Sequence, residues 1–138
     1  MREIAYQEIV KNVRDIIVYS ASNLPEDALQ AMKDAYKNEK SPVSKEVLKQ
    51  LLENADIASS EARPLCQDTG LAVFFVKIGA DVKVVGGLLK DAINEGTEKG
   101  YVEGYLRAST CHPFTRANNK DTVGYNLPAI IHLDIVEG

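Results

Sequence analysis

Apolar residues recur at helical spacing in three stretches of the first sixty positions, and residues three and four apart share one face of an α-helix. In the first stretch, the residues on this face are Ile9, Val13, Ile16 and Ile17. In the second they are Leu29, Met32 and Tyr36. In the third they are Val47, Leu48, Leu51, Leu52 and Ala55. The pattern predicts three helices whose apolar stripes pack into a core.

Polar breaks separate the predicted helices. Residues 20–23 form the first break, and Pro25 then suits the first position of a helix whose opening turn carries acidic residues. Residues 41–44 form the second break. Within it, Ser44 is predicted to cap the third helix, because a serine hydroxyl accepts hydrogen bonds from the free N–H groups of a first turn.

The apolar period changes after Gly70. Residues 71–78 are almost continuously apolar and rich in β-branched and aromatic side chains, which predicts a buried strand that ends in a turn at residues 79–81. Residues 82–87 are consistent with the second strand of a hairpin. The following apolar positions favour a helix that runs toward Gly96 or Gly100; they are Leu88, Leu89, Ala92 and Ile93.

Two further strands are predicted, at residues 105–110 and 129–136, with a polar stretch of no clear pattern between them. The predicted fold class is α+β, with amino-terminal helices packed on a small mixed or antiparallel sheet. That sheet is expected to contain residues 71–78, 104–110 and 128–136. One domain is expected, helical over residues 1–60 and sheet-containing over residues 61–138.

Composition limits the class of protein. The chain has 138 residues, of which 45% are hydrophobic and 26% charged, as in a globular domain with a core of its own. Its net charge of -4 and pI of 5.2 argue against a nucleic-acid surface, which needs clustered basic residues. No apolar segment approaches the roughly 20 residues that cross a bilayer, and no signal peptide is visible. A cytoplasmic location is therefore expected.

The strongest candidate site is the run Cys66-Gln67-Asp68-Thr69-Gly70, just ahead of the predicted buried strand. A thiolate binds soft metals and iron–sulfur clusters, and a neighbouring amide and carboxylate can orient a polar substrate or move a proton. Simpler explanations exist for each residue. Cys66 could be a buried thiol, Asp68 could close a turn, and the Thr69 hydroxyl could serve structure alone.

The second cysteine, Cys111, does not form a convincing site with its neighbours. Two cysteines make no disulfide framework, and no CxxC or paired-histidine spacing suggests a self-contained zinc site. His112 next to Cys111 lacks an orienting acid at a known distance, so an ordinary role is preferred. Any metal therefore needs ligands from elsewhere.

Arg107 is the strongest candidate outside the Cys66–Gly70 run. It lies in a predicted strand, where an unpaired arginine is costly to bury, so binding of an anionic substrate is preferred over a structural salt bridge. Arg116 and Lys120 are expected to be solvated charges. The residues expected to have structural roles are His132 within its strand, and Tyr101 and Tyr105 in the core or an interface.

Three motifs in order resemble one family: Cys66–Gly70, then Leu106-Arg107-Ala108-Ser109, then the run from Asn126 to His132. The chain resembles the class I fumarases and the L-tartrate dehydratase alpha subunits over residues 5–138. The resemblance implies a [4Fe-4S] hydro-lyase that interconverts fumarate and (S)-malate, or a close dicarboxylate pair such as that of a tartrate dehydratase.

The resemblance also implies roles for single residues. Cys66 matches the first cluster cysteine, Asp68 matches an acid beside the substrate hydroxyl, and Gln67 and Arg107 match residues that bind substrate carboxylates. Thr69 is included among the expected substrate-binding residues. An arginine suits this task because its planar guanidinium offers two parallel donors.

Some parts of the chain depart from the family. Residues 116–129 match the family's Arg-x-Asn-Thr-x-x-Asn-Thr-Pro-Ala segment only loosely, and Cys111 matches no cluster cysteine. By the family's order, the remaining cluster cysteines lie beyond residue 138. Expected partners are a small dicarboxylate, a beta subunit or carboxy-terminal domain, and an oligomer, with no nucleic acid or membrane. The alternative is a non-catalytic binding or assembly domain, and the isolated chain is expected to be inactive.

Overall fold

The computed structural model describes residues 2–121 and 123–138 and has the predicted α+β fold. Its helices are α1 (Tyr6–Ser22), α2 (Glu26–Asn38), α3 (Pro42–Glu61) and α4 (Leu89–Glu103). Its strands are β1 (Arg2–Ala5), β2 (Val73–Gly79), β3 (Val82–Val85) and β4 (Ile130–Val136). A single 3-10 turn, Asn119–Asp121, precedes Thr122, which belongs to the loosely matching 116–129 segment and lies outside the described residues.

The described strands form two separate parallel pairs. β1 pairs with β3, and β2 pairs with β4 with Phe74 opposite Ile131 and Phe75 opposite His132. The expected mixed or antiparallel pairing is therefore wrong in direction. The hairpin expected at residues 82–87 is also wrong, because β3 takes as its partner β1, a short charged segment that the apolar pattern did not predict.

Residues 104–110 are an irregular segment, not the predicted strand. Tyr105 turns the backbone with a φ of +54° and is 91% exposed. Of the two expected places for Tyr105, the core and an interface, the core is therefore wrong. The backbone groups of Arg107, Ser109 and Thr110 bond to side chains from distant parts of the chain. These contacts replace the hydrogen bonds that a neighbouring strand would supply.

Helices α1 and α4 pack closely along two glycines of α4, Gly96 and Gly100, spaced four residues apart. A Cβ atom at Gly96 would lie 2.7 Å from the carbonyl oxygen of Val10, and one at Gly100 would lie 2.6 Å from the Cβ of Ile17. The hydrophobic core forms on this contact and reaches β2. Its buried residues are Val13, Ile17, Ala72, Ile93, Tyr101 and Leu106.

Helices α2 and α3 contribute less to this core than their stripes predicted. All of α2 is described and none of its residues is buried, while Val47 and Leu51 of α3 are exposed. In the third stripe, Ala55 is the buried member. The prediction of core packing is therefore wrong for Val47 and Leu51. Apart from Ala55, the remaining members of the two stripes are half-buried, because α2 contacts mainly α3 and α3 touches α1 only slightly.

The helix starts also differ by a few residues from the prediction. Ser41, not Ser44, caps α3, and its hydroxyl accepts a hydrogen bond from the Ser44 N–H at 3.5 Å. Pro42 occupies the first turn instead, where its missing N–H costs nothing. Pro25 precedes α2 as the cap residue and is not its first helical residue.

The β2–β4 pair buries one face only in part. Phe74, Val76 and Ile131 pack against the core, whereas Phe75 on the opposite face is 82% exposed and stacks on His132 with ring centroids 4.9 Å apart. His132 thus lies in a strand, as predicted. Among the described helices, none combines the length and the hydropathy that a bilayer span requires.

Candidate active site

The Cys66–Gly70 segment, here called the CQDTG loop, connects α3 to β2 and folds on its own polar groups. The Cys66 thiol donates to the Asp68 carbonyl at 3.2 Å, and Asp68 Oδ1 accepts from the Gly70 N–H at 3.2 Å. Gly70 has a φ of +60°, a conformation that residues with a Cβ atom rarely adopt. The Asp68 carboxylate therefore closes a turn, while Cys66 and Gln67 remain exposed.

Hydroxyl groups attach the CQDTG loop to α4 and to the segment that follows it, where Ser109 Oγ donates to the Gly70 carbonyl at 3.4 Å. Thr69 Oγ1 donates to the Arg107 carbonyl at 3.0 Å. The Tyr101 hydroxyl lies 3.0 Å from the carbonyl oxygens of both Thr69 and Gly70. Tyr101 is buried as predicted, and this burial raises the pKa of its phenol. The hydroxyls hold the loop against α4 and leave its cysteine and glutamine outward.

Asn126 lies at the centre of this arrangement and is fully buried. Its Oδ1 accepts from the backbone N–H groups of Ser109 at 2.8 Å and Thr110 at 3.1 Å. Its Nδ2 donates to the carbonyls of Arg107 at 2.9 Å and Gly70 at 3.4 Å. One side chain thus connects the end of the CQDTG loop to the segment that carries Arg107.

The Arg107 side chain is exposed, and its guanidinium makes no hydrogen bond or ion pair with the other described residues. The burial argument from the sequence is therefore wrong, because the segment is irregular and its backbone, not its side chain, is held inside. The structural salt bridge considered as the alternative is also absent from the described part. The guanidinium is available to an anion.

A shallow cavity of about 220 Å³ opens beside the CQDTG loop. Cys66, Asp68 and Thr69 line it from the loop, and the end of α1 forms the opposite wall. An adjoining groove of about 420 Å³, also reached by Thr69, runs under apolar residues of α1 and β2. The polar residues of the loop thus face a recess.

The described residues do not form a complete metal site. Cys66 and Cys111 are free, exposed thiols, and no group of three or more histidine, cysteine and acidic side chains comes together in the described part. An exposed thiol on a loop rim can supply one ligand to an iron–sulfur cluster. Cys66 therefore fits the role of one ligand, and the remaining ligands would have to come from other parts of an assembly.

The loop around Cys111 and His112 has a structural explanation. The backbones of Cys111 and Asn118 pair in an isolated antiparallel β-bridge. The Nδ1 atom of His112 accepts hydrogen bonds from the N–H groups of Phe114 and Thr115, each at 3.3 Å. These bonds give the Nδ1 atom of His112 a role in holding the turn at residues 112–115. Arg116 and Lys120 in the same region are exposed, as predicted.

The comparison with known families decides the relationship. A model of the family described as fumarate hydratase (Fumerase) matches residues 10–138, nearly the whole chain. The chain belongs to the fumarate hydratase family. This confirms the resemblance that the three motifs indicated.

Individual proteins similar to this chain support its membership of the fumarate hydratase family. The chain is 41% identical over 124 residues to a putative L(+)-tartrate dehydratase subunit alpha of Methanocaldococcus jannaschii, covering 88% of this chain and 42% of that protein. It is 32% identical over 124 residues to the L(+)-tartrate dehydratase subunit alpha of Escherichia coli strain K12, covering 88% and 39%. It is 26% identical over 125 residues to a putative fumarate hydratase class I of Geobacillus stearothermophilus, covering 90% and 24%. The chain thus spans less than half the length of each.

The fold brings the CQDTG loop and the Arg107 segment together, although Gly70 and Leu106 are 36 positions apart in the sequence. Besides any contact with a ligand, the Asp68 side chain closes a local turn and the Thr69 hydroxyl bonds the distant Arg107 carbonyl. Sequence reasoning missed Asn126 and Tyr101 as organisers of the site. Asn126 carried one usable signal, since it stands in the third motif immediately before Leu127-Pro128.

Proposed function

We propose that the chain forms one wall of the active site of a [4Fe-4S] hydro-lyase that reversibly dehydrates a small hydroxy-dicarboxylate. Family membership supports the class of enzyme. The single observation that carries the proposal is the hydrogen bond from Thr69 to the Arg107 carbonyl, which joins the CQDTG loop to the segment bearing the exposed Arg107 guanidinium. A thiol, an amide, a carboxylate and a guanidinium are thereby offered by neighbouring backbone.

Arg107 and Gln67 are proposed to bind substrate carboxylates. The Arg107 guanidinium is exposed and free of partners among the described residues, so it can take a carboxylate through two parallel N–H donors. Gln67 is exposed on the CQDTG loop and can donate through its amide. Thr69 is proposed as a further substrate-binding residue, because it also lines the recess beside the CQDTG loop.

Asp68 is proposed to deliver the proton that leaves with the substrate hydroxyl. Its Oδ1 accepts from the Gly70 N–H, which fixes the direction of the carboxyl group, and its side chain lines the 220 Å³ recess. In the dehydration, a carbon–oxygen and a carbon–hydrogen bond break, a carbon–carbon double bond forms, and water leaves. We propose that a base outside this chain takes the carbon-bound proton.

Cys66 is proposed as one cluster ligand. Its thiol is free and exposed at the rim of the recess, where a thiolate can reach an iron. When bound, such a cluster supplies a Lewis-acidic iron that polarises the substrate hydroxyl. The other cysteine ligands are proposed to lie beyond residue 138.

Fumarate and (S)-malate are the first proposed substrate pair. L(+)-tartrate is the second proposed substrate. Sequence identity supports it, because the chain is 41% and 32% identical to relatives named as tartrate dehydratase alpha subunits but 26% identical to one named as a fumarate hydratase. Both substrates are hydroxy-dicarboxylates, so the roles of Arg107 and Asp68 are the same for either.

The chain is proposed to work in an assembly in the cytoplasm, with a beta subunit or a carboxy-terminal domain. We propose that residues 1–60 and 61–138 form one unit of a longer alpha subunit. Exposed apolar side chains on both strands of the β2–β4 pair support a covering partner, and Phe75 and Ile135 are 82% and 72% exposed. Large exposed apolar patches commonly mark interfaces.

The experiment that tests the proposed activity is anaerobic iron–sulfur reconstitution of the chain with its partner polypeptides, followed by separate assays with fumarate and L(+)-tartrate. Turnover of either one is the expected result, and the preferred substrate distinguishes the two candidates. An assembly that holds a cluster but turns over neither compound would instead support the non-catalytic binding or assembly role.

A further inference from the structure

The Asn126 amide is buried completely and is fully bonded. It accepts two hydrogen bonds, from the N–H groups of Ser109 and Thr110, and it donates two, to the carbonyls of Arg107 and Gly70. A side-chain amide has two donor hydrogens and two acceptor lone pairs, so all of its capacity is used.

The four bonds reach two segments that are distant in the sequence. Gly70 ends the CQDTG loop, whereas Arg107, Ser109 and Thr110 belong to the irregular segment after α4. Asn126 itself has a φ of +52°, in the left-handed region where asparagine is among the best tolerated residues. The Asn126 side chain forms hydrogen bonds with backbone groups of both segments, as a neighbouring strand would, and it thereby sets the distance between them.

We propose that Asn126 is a positioning residue of the hydro-lyase site, which sets the placement of the Arg107 guanidinium relative to the CQDTG loop. The proposal rests on the proposed function. Asn126 has no exposed surface and therefore cannot touch a substrate itself. It acts through Arg107, whose carbonyl it holds at 2.9 Å.

The chemistry of the four bonds predicts different results for two substitutions. Asn126→Asp keeps acceptors for the Ser109 and Thr110 N–H groups, but its carboxylate offers no hydrogen to the carbonyls of Arg107 and Gly70. Asn126→Leu has similar volume and keeps neither kind of bond, so it also leaves buried backbone N–H groups unpaired. The Asp variant thus separates the donors of the amide from its acceptors.

Amide hydrogen exchange of the chain alone tests the connection without any assay of activity. Asn126→Leu should speed exchange at Ser109 and Thr110 while the amides of α1 and α4 stay protected. Asn126→Asp should keep protection at Ser109 and Thr110. Asn38→Asp, which alters an exposed amide on α2 bonded to the Asp34 carbonyl, is the matched control. Unchanged exchange at Ser109 and Thr110 in the Leu variant would overturn the proposal.

A double-mutant cycle in the reconstituted assembly tests the action through Arg107. Asn126→Asp should raise KM for the dicarboxylate by about tenfold with a smaller change in kcat, because the Arg107 backbone is no longer held and its guanidinium loses its alignment with the substrate carboxylate. In an Arg107→Ala background the same substitution should change KM little. Additive effects would overturn the positioning role. An unmutated assembly without hydro-lyase activity contradicts the proposed function instead, and hydrogen exchange then decides the role of Asn126.

Discussion

The Thr69 hydroxyl donates a hydrogen bond to the backbone carbonyl of Arg107 at 3.0 Å. Thr69 belongs to the CQDTG loop ahead of β2, and Arg107 follows α4, so this bond spans the two parts of the chain that carry the proposed chemistry. The same carbonyl accepts from Asn126 Nδ2 at 2.9 Å. Together with Ser109 Oγ, which donates to this oxygen at 3.4 Å, these donors hold the backbone of Arg107 in place while its guanidinium stays exposed.

Thr69→Val should destabilise the chain by about 1 kcal/mol, because it removes one hydrogen bond while it preserves the shape of the side chain. Thr69→Ser keeps the hydroxyl and is the matched control. Urea denaturation of the three proteins measures the free energies of unfolding. If the Val and Ser variants unfold at the same urea concentration, the Thr69–Arg107 bond contributes nothing.

Gly100→Ala should destabilise the chain by about 1–3 kcal/mol, because the added methyl overpacks the α1–α4 contact. The new Cβ would lie 2.6 Å from the Cβ of Ile17 and 3.2 Å from the carbonyl oxygen of Arg14. Lys90→Ala, at an exposed position of the same helix, is the control and should stay within about 0.5 kcal/mol of the unmutated chain. A Gly100 variant as stable as this control would show that the helices can separate at little cost.

Stability should fall at alkaline pH in part because of Tyr101. Burial raises the pKa of Tyr101 above its ordinary value of 10.0, so the folded chain keeps the phenolic proton to higher pH than the unfolded chain does. The contribution is therefore complete below about pH 10 and is lost as pH rises through the folded pKa.

Tyr101→Phe should reduce this alkaline loss. The variant should also be less stable than the unmutated chain at neutral pH, because it loses the hydroxyl that bonds the carbonyls of Thr69 and Gly70. Urea denaturation over a series of pH values measures both effects, with Tyr105→Phe, an exposed ring, as control. An alkaline limb identical in the Tyr101 variant and the unmutated chain would contradict the role of burial.

Arg107→Lys should weaken dicarboxylate binding in the reconstituted assembly and leave folding unchanged. Lysine keeps the charge but lacks the planar pair of donors that matches a carboxylate. The side chain is exposed, so the urea midpoint should not move. Arg116→Lys is the control, because Arg116 is an exposed arginine on a neighbouring loop. Equal KM values for the two variants would remove Arg107 from the binding site.

The elements that the sequence predicted are those in which apolar spacing decides the structure. α1 buries Val13 and Ile17 of its stripe, and β2 and β4 follow the continuous and alternating runs near their predicted positions. The prediction was wrong for elements whose structure or burial depends on the elements that they contact. β1 carries too few apolar residues to show a period, and most members of the α2 and α3 stripes are only half-buried because α2 contacts mainly α3.

The candidate site shows the same division. The CQDTG loop and Arg107 were identifiable because motifs preserve residue types in order. Their contact was not, since it depends on the Asn126 side chain and on the Tyr101 hydroxyl, which bond to backbone groups far away in the sequence. A segment whose backbone hydrogen bonds go to distant side chains carries no local sequence pattern that distinguishes it from a strand. Residues 104–110 were therefore predicted as a strand.

The most direct test of the central claim compares Cys66→Ser with Cys111→Ser in the anaerobically reconstituted assembly, by iron content, the visible absorption of the cluster and dicarboxylate turnover. Both cysteines are free and exposed, so adventitious iron can reach either of them. We expect Cys66→Ser to lose the cluster and the turnover, and Cys111→Ser to keep both. A Cys66→Ser assembly with a full cluster and full activity would contradict the claim that the CQDTG loop supplies a cluster ligand.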